Sequence, residues 1–92
     1  MSSGHLPVDP ERLRREFSAL TPEDVDAYVE VTRRIMGAAP DARGHVAREA
    51  IAGGRRAREK AARGVVLAAD EALFLRYLDA VGKMQRRAPA GT

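Results

Sequence analysis

Residues 70–87 read DEALFLRYLDAVGKMQRR, and their pattern decides the architecture of the chain. Asp70 and Glu71 suit the positive end of a helix dipole, and Lys83, Arg86 and Arg87 suit the negative end. At helical spacing, Ala80, Leu73, Met84, Tyr77, Val81, Phe74, Leu78 and Leu75 cover more than half the helix circumference. A helix buried on one side needs an apolar arc of only about 100°. Two arrangements use the excess. Either the helix is central and wrapped by the others, or a second copy of the chain covers its free flank. Leu73, Leu75, Tyr77, Ala80 and Met84 are the residues assigned to such self-association.

The stretch before it has a different composition. Across residues 41–63, Val46, Ala47, Ala50, Gly53, Gly54, Ala57 and Ala61 fall in one arc, with Ile51 and Ala62 at its edge. Arg48, Glu49, Arg55, Arg56, Glu59, Lys60 and Arg63 fill the opposite side. The apolar phase holds across Gly53-Gly54, so one continuous helix is expected, bent or crossed closely at the pair. Gly64 ends it. Val65-Val66-Leu67 is then expected to tuck inward and seal one end of the core.

Toward the N-terminus, proline and a capping residue mark two further helix starts. Asp9-Pro10 opens a short helix with Leu13, Phe17 and Leu20 on one stripe, and Val8 and Leu13 form a hydrophobic staple. Thr21-Pro22-Glu23-Asp24 opens a second, with Leu20 and Val25 as its staple and Gly37 as its C-terminal cap. Val25, Tyr28, Val29, Thr32, Ile35 and Met36 mark its apolar face. The expected fold is all-α: a bundle of three long helices (22–36, 41–63 and 69–87) behind a short leading helix (10–19). One domain spans 9–87, with a flexible lead-in over 1–8 and a tail over 88–92. The core is expected to centre on Phe17, Val29, Ile35, Ile51, Phe74, Leu78 and Val81.

Composition bounds what this bundle can do. A chain of 92 residues makes one domain and buries only about 60% of its unfolded surface, so its core is thin. The absence of cysteine excludes disulfides, thiolate metal sites and a cysteine nucleophile, and fits a cytoplasmic protein. No apolar run approaches the roughly 20 residues that a bilayer demands, and the first residues lack the pattern of a signal peptide. Arginine outnumbers lysine fourteen to two, which points to a GC-rich, bacterial-like coding bias more than to guanidinium chemistry.

Chemistry-bearing motifs are scarce. No Gly-x-Ser-x-Gly turn, phosphate loop or His-Glu-x-x-His is present, so no catalytic residue, cofactor or small-molecule substrate is assigned and the chain is read as a non-enzyme. Glu23, Asp26 and Glu30 are read as a solvated outer face. Asp41, His45 and Glu49 stand at i, i+4 and i+8, the one spacing that resembles a metal-ligand stripe. A solvated stripe with local ion pairs is the better reading, the further ligands of a metal site are missing, and no metal site is assigned.

Charge is the remaining signal. Residues 1–42 carry a net −3 and residues 43–92 a net +6. Arg48, Arg55, Arg56, Lys60 and Arg63 form a face suited to a phosphate backbone or an acidic protein, including the acidic half of helix 2 in a neighbouring copy. Pairing of Arg55 and Arg63 with Glu59 would instead leave it a solvated face. A helix-turn-helix fails, because Lys60 or Asp70 falls where the motif needs a small or apolar residue. The alanine-rich apolar face of this helix also lacks the large side chains that enter membranes. The leading expectation is a protein-interaction module that associates with itself or another protein, and the alternative is a small nucleic-acid-associated protein.

Overall fold

The computed structural model describes residues 9–87. The expected lead-in and tail, with Val8 and Pro89, lie outside them. Among the described residues four α-helices form, α1 (Pro10–Glu16), α2 (Pro22–Gly37), α3 (Arg43–Ala62) and α4 (Ala69–Arg87), and a 3₁₀ turn at Pro40–Ala42 leads into α3. No strand occurs among the described residues. The all-α bundle expected from the sequence is therefore the fold.

Local chemistry sets the helix boundaries. The Asp9 carboxylate accepts from the Glu11 N–H at 3.1 Å, and proline follows it. Thr21 and Asp24 form a reciprocal capping box at the start of α2: the Asp24 N–H donates to Thr21 Oγ1 at 3.1 Å, and the Thr21 N–H donates to Asp24 Oδ2 at 3.0 Å. α3 ends in a Schellman turn. Gly64, at φ +80°, donates to the Ala61 carbonyl, and Val65 donates to that of Lys60, both at 3.0 Å. Only glycine takes that backbone conformation without strain.

Three boundaries differ from expectation. α1 stops at Glu16 rather than 19, because Phe17 leaves the helix and its carbonyl accepts from the Leu20 N–H in a tight turn. α3 begins at 43 rather than 41, because Pro40–Ala42 winds as 3₁₀. α2 does not end in a glycine cap. Gly37 closes the helix without positive φ, and the Arg43 guanidinium donates to the free carbonyls of Met36 and Ala38 at 3.0 and 3.2 Å.

α4 is the central helix. It packs against both α2 and α3, while α1 packs on α2. α2 runs antiparallel to α4, with Asp24 beside Lys83 at one end and Arg34 beside Asp70 at the other. α3 crosses α4 at Gly53 and Gly54. A Cβ on Gly54 would lie 2.6 Å from the Phe74 carbonyl oxygen, and one on Gly53 would lie 2.8 Å from the Phe74 ring. The pair therefore serves a close crossing, and α3 continues unbroken through it.

The core differs in composition from the expectation. The buried apolar residues are Leu13, Leu20, Val25, Ala27, Val31, Ala50, Ala57, Tyr77 and Ala80. Phe17, Val29, Ile35, Ile51, Phe74, Leu78 and Val81 are only half-buried around them. Close helix approach favours alanine and valine at the contact, and a thin bundle leaves the larger side chains with one edge in water. α2 buries Val31 to 1% while Met36 stays 43% exposed. Its buried side includes Asp24, Ala27 and Val31 at i, i+3 and i+7, a row absent from the expected face. Of the connection after α3, only Leu67 turns partly inward; Val65 and Val66 do not. Val66 is 91% exposed, and the Lys60–Glu71 ion pair bridges α3 and α4 near that end.

Candidate interaction surfaces

The cations of α3 divide into two groups. Arg43 caps α2, Arg58 donates to Asp79 Oδ1 at 2.9 Å, and Lys60 pairs with Glu71. These three are engaged within the chain. Arg48, Arg55, Arg56 and Arg63 are exposed and have no ion-pair partner among the described residues. The expected Arg55–Glu59 and Glu59–Arg63 pairs do not form among these residues. Thus four of the five cations read as a binding face make no ion pair among the described residues, although the Arg56 charge acts on Glu71, and Lys60 is engaged internally.

Glu71 draws its position from two neighbours. It accepts from Lys60 and from the Ala68 N–H at 2.9 Å, which caps α4. Those hydrogen bonds hold its carboxyl below the usual glutamate range, and the nearby Arg56 charge adds to the effect.

Arg48 and Arg55 flank a shallow hollow of about 340 Å³ floored by Ala47, Ile51 and Ala52. On the other side of the bundle, α2 and α4 form a second groove of about 460 Å³. Its floor is Ala27, Ala69, Ala72 and Leu73, and its rim carries Glu23, Asp26 and Glu30, with Arg76 opposite. Glu30 is paired with Arg33 and Arg34, whereas Glu23 and Asp26 have no cationic partner among the described residues.

A third hollow, of about 330 Å³, is lined by Tyr28, Tyr77, Val81, Met84 and Gln85. Tyr28 and Tyr77 stack there with ring centroids 5.7 Å apart. Of the residues assigned to self-association, Tyr77 and Met84 line this hollow and Leu73 lies in the acid-rimmed groove. Leu75 is half-buried, and Ala80 is fully buried inside the chain, so it offers no outer surface.

Asp24 is the functional-looking group that the sequence pattern hid. Its side chain is 2% exposed, with Lys83 Nζ at 2.5 Å and Arg76 Nη1 at 3.5 Å. Burial raises its pKa, but hydrogen bonds from Lys83 and the Thr21 N–H, with the Lys83 charge, outweigh that and hold it below the ordinary aspartate value. The capping position was legible; a partner 59 residues away was not. This network ties α2 to α4 and has a structural role.

Asp41, His45 and Glu49 do not form one stripe. Asp41 sits in the 3₁₀ turn before α3, and His45 Nε2 lies 3.9 Å from Glu49 Oε2 as a local pair. No group of three His, Asp or Glu side chains poised to hold a metal occurs among the described residues. No helix among them is long and apolar enough to cross a membrane. No protein-family model matches the chain, and neither a curated protein nor a solved structure gives a significant match.

Proposed function

We propose that this chain is a non-enzymatic helical interaction module, working in the cytoplasm, that self-associates through the C-terminal half of α4. The observation that carries the reading is the hollow of Tyr28, Tyr77, Val81, Met84 and Gln85. α2 and α3 take up most of the broad apolar arc of α4, and this hollow is where part of it still meets solvent. Aromatic and methionine side chains are the types enriched where proteins meet. The cysteine-free composition is in keeping with a reducing compartment.

Size-exclusion chromatography with light scattering tests this. The chain, 10.0 kDa as a monomer, is expected to elute as a dimer at tens of micromolar. Gln85→Lys sets a charge at the lip of the hollow and is expected to weaken the dimer about tenfold, roughly the cost of one poorly solvated charge. An unchanged dimer in that variant, or a monomer in the parent, contradicts the reading.

A second reading rests on the four free arginines. Arg48, Arg55, Arg56 and Arg63 would neutralise phosphates of a nucleic acid without reading its sequence. Fluorescence anisotropy with a labelled duplex would then give a log–log salt slope of about −3 to −4 for four contacts. Arg56→Glu with Arg63→Glu would abolish the binding; equal affinity in that variant ends this reading.

A further inference from the structure

We infer that the chain carries a second, electrostatic contact for its own kind: the arginine-flanked hollow of α3 docks into the acid-rimmed groove between α2 and α4 of another copy. This goes beyond self-association through α4, because it uses different surfaces and a different force.

Two features match the two surfaces. The first is charge. Arg48 and Arg55 are exposed without counter-ions, and Glu23 and Asp26 are exposed without cations among the described residues. Each surface lacks what the other supplies. The second is the floor. Ala47, Ile51 and Ala52 on one side and Ala27, Ala72 and Leu73 on the other are apolar and mostly small, which lets two helix surfaces approach. Arg76 stands in the groove but is directed to Asp24, so the rim remains acidic overall.

The two surfaces are different patches of one molecule, so the contact is head-to-tail and builds a ring or an open chain. Small floors supply little burial, and charge supplies the rest. Association must therefore fall steeply with salt, as the screening length shrinks from about 10 Å at 0.1 M to about 3 Å at 1 M.

The test is a charge exchange followed by sedimentation velocity in about 20 mM salt. Arg48→Glu with Arg55→Glu reverses one surface, and Glu23→Lys with Asp26→Lys reverses the other. All four positions are exposed, and helix content by circular dichroism confirms folding; Glu23→Gln with Asp26→Asn is the milder second variant. Each reversed variant alone is expected to lose the salt-sensitive association, at least tenfold in affinity. An equimolar mixture of the two is expected to regain it, because reversed arginine positions now face reversed acids. A mixture that fails to associate overturns the contact, even if the Arg48/Arg55 variant has lost binding to DNA. Association that persists in the reversed variants and in about 0.5 M salt also overturns it, while leaving the α4 hollow intact. A parent that is monomeric in both salts overturns both.

Discussion

The two seams that α4 makes differ in what lies at their centre. Against α2 it is tied by long polar side chains: Lys83 and Arg76 reach Asp24, and Arg34 reaches Asp70 while lying 5.8 Å from the centre of the Phe74 ring. Against α3 the backbones meet at Gly53 and Gly54, and the Arg58–Asp79 and Lys60–Glu71 ion pairs lie on the same seam, toward the start of the α3–α4 connection and on the outer surface. A polar seam is sensitive to protonation and to loss of a partner. The glycine contact itself is sensitive to added volume and has no group that titrates, while the Lys60–Glu71 pair beside it weakens in acid.

The largest effect should come at the polar seam. Asp24→Ala removes half a capping box and leaves Lys83 without its carboxylate, and is expected to cost about 3 kcal/mol in chemical denaturation. Its pKa is lowered in the fold, so its contribution is complete above the unfolded-state value of 3.8 and is lost as pH falls through the lower folded-state value. The parent should therefore lose stability below about pH 4, and the Asp24→Ala chain should lose less over the same range; equal slopes would show that Asp24 does not set the acid limit.

At the glycine seam, Gly54→Ala should destabilise by about 2 kcal/mol at every pH. The new methyl meets a backbone oxygen that cannot move aside, which outweighs the roughly 1 kcal/mol that alanine gains in a helix. Gly53→Ala should cost less, about 1 kcal/mol, since the Phe74 ring that it meets can turn. A stabilised Gly54→Ala would mean that the helices do not approach so closely. The smallest effect belongs to neither seam. Val66→Ser, at a position 91% exposed, should change stability by less than about 0.5 kcal/mol.

What the sequence revealed follows the same division. Thr21-Pro22 and Gly64 were legible because caps are local, each decided by residues within four positions. The unbroken course of α3 was legible because its apolar phase carries across the two glycines. The burial of Asp24 was not, because a first-turn acid reads as a solvated charge until a helix 59 residues away brings Lys83 to it. The core was misplaced for a related reason. Size suggested Phe17, Phe74 and Leu78, yet the contacts between close helices fall on Ala50, Ala57 and Ala80. Among the surface groups, the free arginines were legible as a face, but only three-dimensional contacts separate Arg48, Arg55, Arg56 and Arg63 from the engaged Arg43, Arg58 and Lys60. The acid-rimmed groove was legible only as the charges of α2, since Leu73 and Ala72 come from the far end of the chain.

Self-association is the claim on which the functional account stands, and the dependence of mass on concentration tests it most directly. Sedimentation equilibrium of the parent chain between about 5 and 200 µM, in physiological salt, should give an average mass that rises from one chain toward two or more. A mass that stays at one chain across that range would contradict it.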